Sequence, residues 1–180
     1  MSEYKYKAIP TFYNNIQFRS RLEARWAAFF DLMKWHYTYE PYDLEKWSPD
    51  FRLTTEAGNT FLAEVKPSEK IGTELRMKIG NATNFAKGIL LITESPFVGH
   101  IPNDIGLTSV FGKTKNYKKD DDFEFCVSVI SDLYGNGNDI INLCEDPNIS
   151  FENLFKAKDF TKELWNEAGN IVQFLKPPKS

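Results

Sequence analysis

"SPDFRLTTEAGNTFLAEVKP", Ser48 to Pro67, is the stretch that decides how this chain folds. Two short apolar runs, DFRL and TFLAEVK, flank the turn-rich TTEAGN. That pattern predicts an antiparallel hairpin. A turn centred on Ala57 sets Asp50 opposite Glu64. Directly opposed side chains lie about 5 Å apart at Cβ. Side chains alternate along a strand, so Glu64 and Lys66 point one way and Val65 the other. Two acids and a lysine thus meet at the open end of the hairpin, where buried charge is costly. A register slip of one residue would undo the arrangement.

Carboxylates this close repel unless something positive lies between them. A hard divalent cation with oxygen ligands fits, since Mg²⁺ takes one or two carboxylates and completes its shell with waters or phosphate oxygens. The carbonyl of Val65 is a further candidate ligand. Lys66, two residues on, is placed to offset charge on a phosphate or to orient an attacking water. The competing reading is polar side chains on a solvated strand end. It suffices for any one of the three; the three together, between apolar neighbours, favour a site.

Upstream, SRLEARWAAFFDLMKW (20–35) predicts a helix, with Leu22, Trp26, Phe29, Phe30 and Met33 on one stripe. Ser20-x-x-Glu23 has the spacing of a capping box, in which Glu23 reaches back to the Ser20 backbone N–H. Glu23 also lies about 20° from Phe30 on the helical wheel, so it looks towards the sheet. Cap and metal-side role are both open, and one residue can fill both. Arg19, Arg21 and Arg25 surround the helix start and are candidates for substrate phosphate, with ordinary surface arginines as the alternative. YTYEPY (37–42) predicts a short strand, with Glu40 as an edge-strand charge. Downstream, 70–86 predicts a second helix with Ile71, Leu75, Ile79, Ala82 and Phe85 or Ala86 inward, stopped by Gly88. ILLIT (89–93) reads as a central strand. The order over the first 93 residues is α-β-β-β-α-β. Beyond it, GLTSVFG and FEFCVSVI read as strands around a charged loop. FENLFKAKDFTKELWNEAGNIVQFL holds one or two helices, and KPPKS frays.

The chain has 180 residues, enough for a substantial core. Net charge is −3, against a bulk electrostatic nucleic-acid binder. Residues 1–88 carry 13 basic against 11 acidic side chains, and residues 89–180 carry 9 against 14. A polyanion would therefore meet the N-terminal half. Cys126 and Cys144 are too few for a disulfide framework or a zinc site, and the isolated His36 and His100 read as surface residues. With no h-region and no long apolar run, a cytoplasmic protein without a membrane partner is expected.

"PD", then "ExK", preceded by a helix bearing a glutamate, resembles the PD-(D/E)XK nuclease superfamily. More narrowly, FRSRLEARWAAFFD…YEPY…SPDFRL…FLAEVKP is similar to small phage and bacterial nuclease-like proteins of that superfamily, over roughly residues 13–93. The resemblance implies an α/β fold: a PD-(D/E)XK nuclease-like core over 1–115, with a mixed central sheet flanked by helices, and a C-terminal α+β elaboration of the same domain over 116–180. It implies metal-dependent hydrolysis of nucleic acid, DNA being the expected partner. Asp50 and Glu64 would ligate Mg²⁺ or Mn²⁺, Lys66 would be the catalytic lysine, and Glu23 matches the helix acid that often completes the site. If the protein is phage-encoded, it would act in the host cytoplasm. Two alternatives stand beside this. One is an inactive nuclease-fold module that binds DNA or inhibits a host defence protein, suggested by the acidic C-terminal half. The other is a Holliday-junction-type resolvase, which would demand a homodimer.

Overall fold

The structure is a computed structural model; it describes residues 8–44, 47–67, 75, 78, 86–96, 108–110, 128–131, 135, 137–142 and 161–173. A short hairpin comes first, β1 (Thr11–Tyr13) and β2 (Ile16–Phe18). Its turn residues Asn14 and Asn15 have φ of 47° and 62°. Asparagine tolerates that region, which the tight hairpin turn requires. Helix α1 follows (Arg21–Leu32), capped by Ser20, whose side chain accepts the Glu23 N–H. The predicted stripe is inward: Trp26, Phe29, Phe30 and Met33 are buried and Leu22 is half-buried. Each such large side chain contributes about 1.5–3 kcal/mol by leaving water.

The helix stops three residues short of the predicted end. Lys34 takes φ 60°, Lys34 N–H reaches Asp31 O at 3.0 Å, and Trp35 N–H reaches Phe30 O at 2.9 Å. This is a Schellman termination, and the rings of Phe30 and Trp35 stack across it with centroids 6.0 Å apart.

Five strands make the main sheet, in the order β3 (His36–Tyr39), β4 (Phe51–Thr54), β5 (Thr60–Val65), β6 (Gly88–Ile92) and β7 (Thr108–Val110). The β5–β6 pair is parallel and the other three are antiparallel, so the sheet is mixed, as expected. The β4–β5 register pairs Phe51 with Ala63 and Thr54 with Thr60, which centres the hairpin on Ala57. Gly58 takes φ 85° in that turn, a conformation that glycine adopts without strain. Leu75 and Lys78, in the β5–β6 crossover, are helical; the rest of the predicted second helix lies outside the described residues. Gly88 is the first residue of β6 rather than a helix stop.

Both faces of the sheet are covered. Phe51, Leu53, Phe61, Ala63, Val65, Leu90 and Ile92 pack under α1. Leu62 and Ile89, on the other face, pack with Trp47, Leu44, Leu75 and Ala86. The C-terminal part supplies β8 (Ser128–Ser131), β9 (Asp139–Asn142) and helix α2 (Thr161–Gln173). Ile130, Ile140, Trp165, Ala168 and Val172 join the same core as α1. Residues 123–127 of the predicted FEFCVSVI strand, and the charged loop before it, lie outside the described residues.

Candidate functional site

The β4–β5 hairpin opens at the end away from Gly58, and there the motif residues converge. Asp50 precedes β4 and is 3 % exposed. Its Oδ2 accepts the Val65 N–H at 2.7 Å, which ties it to β5. Glu64, on β5, is 6 % exposed, and its Oε2 accepts the Trp47 indole N–H at 2.8 Å. Lys66 Nζ lies 2.6 Å from Glu64 Oε1. Asp50 Oδ1 is paired with the Arg19 guanidinium.

Each acid therefore has one oxygen fixed by a rigid, buried N–H and one facing a long cationic side chain. Those cations are accessible, the Arg19 side chain being 59 % exposed and that of Lys66 42 %. Burial first, and then the negative charge of Glu64, push the Asp50 carboxyl up from 3.8 to about 7; the Val65 N–H and Arg19 oppose this without cancelling it. A further cation beside the two acids would favour their charged forms.

Glu23 enters from α1. Its Oε1 accepts the Ser20 hydroxyl at 2.8 Å, and its Oε2 accepts the Tyr39 hydroxyl and, at 3.2 Å, the Arg19 backbone N–H. The capping role is real but differs in detail: the carboxylate meets the Ser20 hydroxyl and the Arg19 N–H, not the Ser20 N–H. Glu23 is also near enough to raise the Asp50 carboxyl. Burial, and then the hydrogen bond to Glu23, push the Tyr39 phenol well above its ordinary range, so Tyr39 stays a donor. Both Glu23 oxygens thus have partners within the chain. Among the described residues, no three His, Cys, Asp or Glu side chains form a group that could hold one ion. Asp50 and Glu64 are the two carboxylates brought together at the open end of the hairpin. Two carboxylates are sufficient for Mg²⁺, which keeps several waters.

The three arginines part company. Arg19 stands at the acids, with Nε also 3.1 Å from Glu40 and 3.8 Å from Glu23. Arg25 turns the other way. Its Nε and Nη2 donate to the Trp165 carbonyl at 3.2 and 2.9 Å, and its Cζ lies 4.0 Å from the centre of the Trp165 ring. Gly169 makes room for it, since a Cβ there would come within 3.0 Å of the guanidinium. Arg25 is thus a clamp between α1 and α2, bonded through Nε and Nη2 to one carbonyl. Arg21 is exposed and lines, with Arg25, a groove of about 400 Å³ against α2, away from the carboxylates.

Sequence reasoning missed two members of the cluster, Trp47 and Tyr39, and the pairing of Arg19 with Asp50. Only position hinted at them. Trp47 lies three residues before Asp50, and Tyr39 alternates with Tyr37 on the neighbouring strand. No family model, no curated protein and no solved structure matches the chain.

Proposed function

We propose that this protein is a divalent-metal-dependent nuclease that hydrolyses phosphodiester bonds in DNA, built on a core of the PD-(D/E)XK kind. The observation that carries the reading is the buried Asp50–Glu64 pair at the end of neighbouring strands, with Lys66 against Glu64. Asp50 Oδ1 and Glu64 Oε1 would hold Mg²⁺ or Mn²⁺, with the Val65 carbonyl as a further ligand. When bound, the ion supplies Lewis acidity and lowers the pKa of a water. The chain does the rest. The Val65 N–H and the Trp47 indole fix the far oxygens and so the carboxylate planes. Lys66 orients the attacking water and offsets the negative charge that develops on the phosphoryl oxygens. Glu23, anchored by Ser20 and Tyr39, adds negative potential behind Asp50.

The test is direct. Incubation with supercoiled, linear, single-stranded and branched DNA in Mg²⁺ or Mn²⁺ should give cleavage of at least one. Cleavage that is absent, or unchanged in Asp50→Asn and Glu64→Gln, removes the proposal.

A second reading has one observation in its favour: the acids of this cluster already have hydrogen-bond or ionic partners within the chain. A non-catalytic module that binds DNA or a host protein could keep such a network for rigidity. Partner binding that survives EDTA and Glu64→Ala would select it.

A further inference from the structure

We infer that Arg19 is an exchangeable counter-cation built into this site: it holds Asp50 Oδ1 while the protein is metal-free, leaves it when a divalent ion is bound, and is then free to pair with a substrate phosphate. The inference rests on the metal-binding reading above and adds a coupling between the metal and the nucleic acid.

Three observations carry it. First, Arg19 faces three carboxylates at once, those of Asp50, Glu40 and Glu23. Lys66 and Lys87, by contrast, each pair with a single carboxylate. Second, it takes the one Asp50 oxygen that the fold leaves over, because the other is held by the Val65 N–H. Third, its side chain is more than half exposed although its partner is buried. A guanidinium in that position can swing into solvent without disturbing the core, whereas the buried acid cannot follow it. Arg25 makes the contrast: its guanidinium is spread on the Trp165 ring and bonded to the Trp165 carbonyl, so it has nowhere to go.

The chemistry is competition between cations for one oxygen. With Arg19 on Asp50, a divalent ion must displace an ion pair, which weakens its apparent affinity. Once displaced, the guanidinium stands beside the site with five N–H donors arranged for bidentate contact with a phosphate. Metal loading should then strengthen the grip on DNA.

The experiment measures Mn²⁺ binding to the full-length protein by calorimetry, for wild type, Arg19→Gln, Arg19→Lys and Glu64→Gln, followed by steady-state cleavage. Arg19→Gln should bind Mn²⁺ roughly five- to tenfold more tightly than wild type. Arg19→Lys, which keeps the charge, should stay within about twofold of wild type. In cleavage, Arg19→Gln should need less Mn²⁺ for half-maximal rate yet show a raised KM for DNA. A merely structural residue would not move those two quantities in opposite senses. If Arg19→Gln binds Mn²⁺ no better than wild type while Glu64→Gln abolishes binding, the exchange idea is wrong and the metal site stands. If wild type and Arg19→Gln both fail to bind Mn²⁺, the metal site itself is refuted, and the exchange with it. Should Arg19→Gln not fold, Glu40→Gln, which removes one of the carboxylates that hold Arg19, should bind Mn²⁺ more tightly than wild type, and no change overturns the inference.

Discussion

The β4–β5 hairpin carries a buried or half-buried acid network at each end, and the two are built on opposite plans. At the turn end, Asp139 of β9 is surrounded by donors: Thr55 Oγ1 and the Ile140 N–H at 2.9 and 2.8 Å, the Asn59 amide, and Lys87 Nζ at 3.6 Å. Glu56 nearby accepts the Asn138 N–H at 3.1 Å. These contacts staple the β8–β9 hairpin to the main sheet. At the open end, acids crowd acids: Asp50 lies next to Glu64 and Glu23 and is pushed up in pKa by both. A staple needs one acid and several donors. The crowding raises the energy of these carboxylates, and perturbed groups of this kind concentrate at functional sites.

The largest effect that tests this contrast is on cleavage. Asp50→Asn and Glu64→Gln should each lower the rate of Mg²⁺-dependent DNA hydrolysis by about 10²–10³-fold or more. Asp139→Asn should leave it within a few-fold. Equal losses at both ends, measured on the same DNA substrate, would erase the distinction between a site and a staple.

Stability should move in opposite directions. Asp139→Asn turns an N–H₂ towards the Asn59 amide and Lys87, and it should destabilise by about 1–2 kcal/mol. Asp50→Asn removes a charge that burial and Glu64 disfavour, and it should stabilise the metal-free protein at neutral pH by roughly 1–3 kcal/mol. Urea unfolding in EDTA reads both. A destabilised Asp50→Asn would mean that Arg19 more than offsets the crowding.

The pH dependence follows from the same carboxyl. Its pKa is about 7 in the folded chain, against 3.8 for an unperturbed aspartate. Between those values the folded state holds more protons than the unfolded one, so stability falls as pH rises. Metal-free wild type should therefore lose stability from about pH 4 through about pH 7, and Asp50→Asn should flatten that slope. An unchanged slope would move the effect to another group.

How far the sequence revealed all this depended on which physical signal each part carries. The helical stripe Trp26–Phe29–Phe30–Met33 and the alternation across Phe51–Thr54 were legible because burial imposes a period, and Thr60–Val65 was legible as an apolar run buried on both faces. The hairpin register was legible because Gly58 punctuates a turn of few residues, and the register set Asp50 against Glu64. Strands β1, β2 and β9 were not foreseen. β1 and β2 form a separate two-stranded sheet, as does β9 with β8, and β1 and β2 lack the continuous buried run that marks β5 and β6. The contact of Arg25 with α2 was not foreseen for a different reason. Its partner, the Trp165 carbonyl, lies 140 residues away, and a long-range backbone acceptor leaves no trace near the donor. Glu40 ends β3 with φ 46° and reaches Arg19 from the strand edge, which the "YEPY" pattern placed but did not pair.

Trp47 offers the finest test of the contrast, because its indole serves the functional end as Asn59 serves the staple. The ring is buried against Leu62 and Ile89, and its N–H meets Glu64 Oε2. Trp47→Phe keeps an apolar ring but removes the donor, leaving a buried carboxylate oxygen without it. Stability should fall by about 1–3 kcal/mol, part of it from lost packing. If the indole also aligns Glu64 for the ion, Mn²⁺ binding should weaken a few-fold in the folded variant. Asn59→Ala should leave Mn²⁺ binding unchanged, because it acts at the other end of the hairpin. Calorimetry on the two variants separates the roles: weakened binding in both, or in neither, would show that Trp47 contributes packing alone.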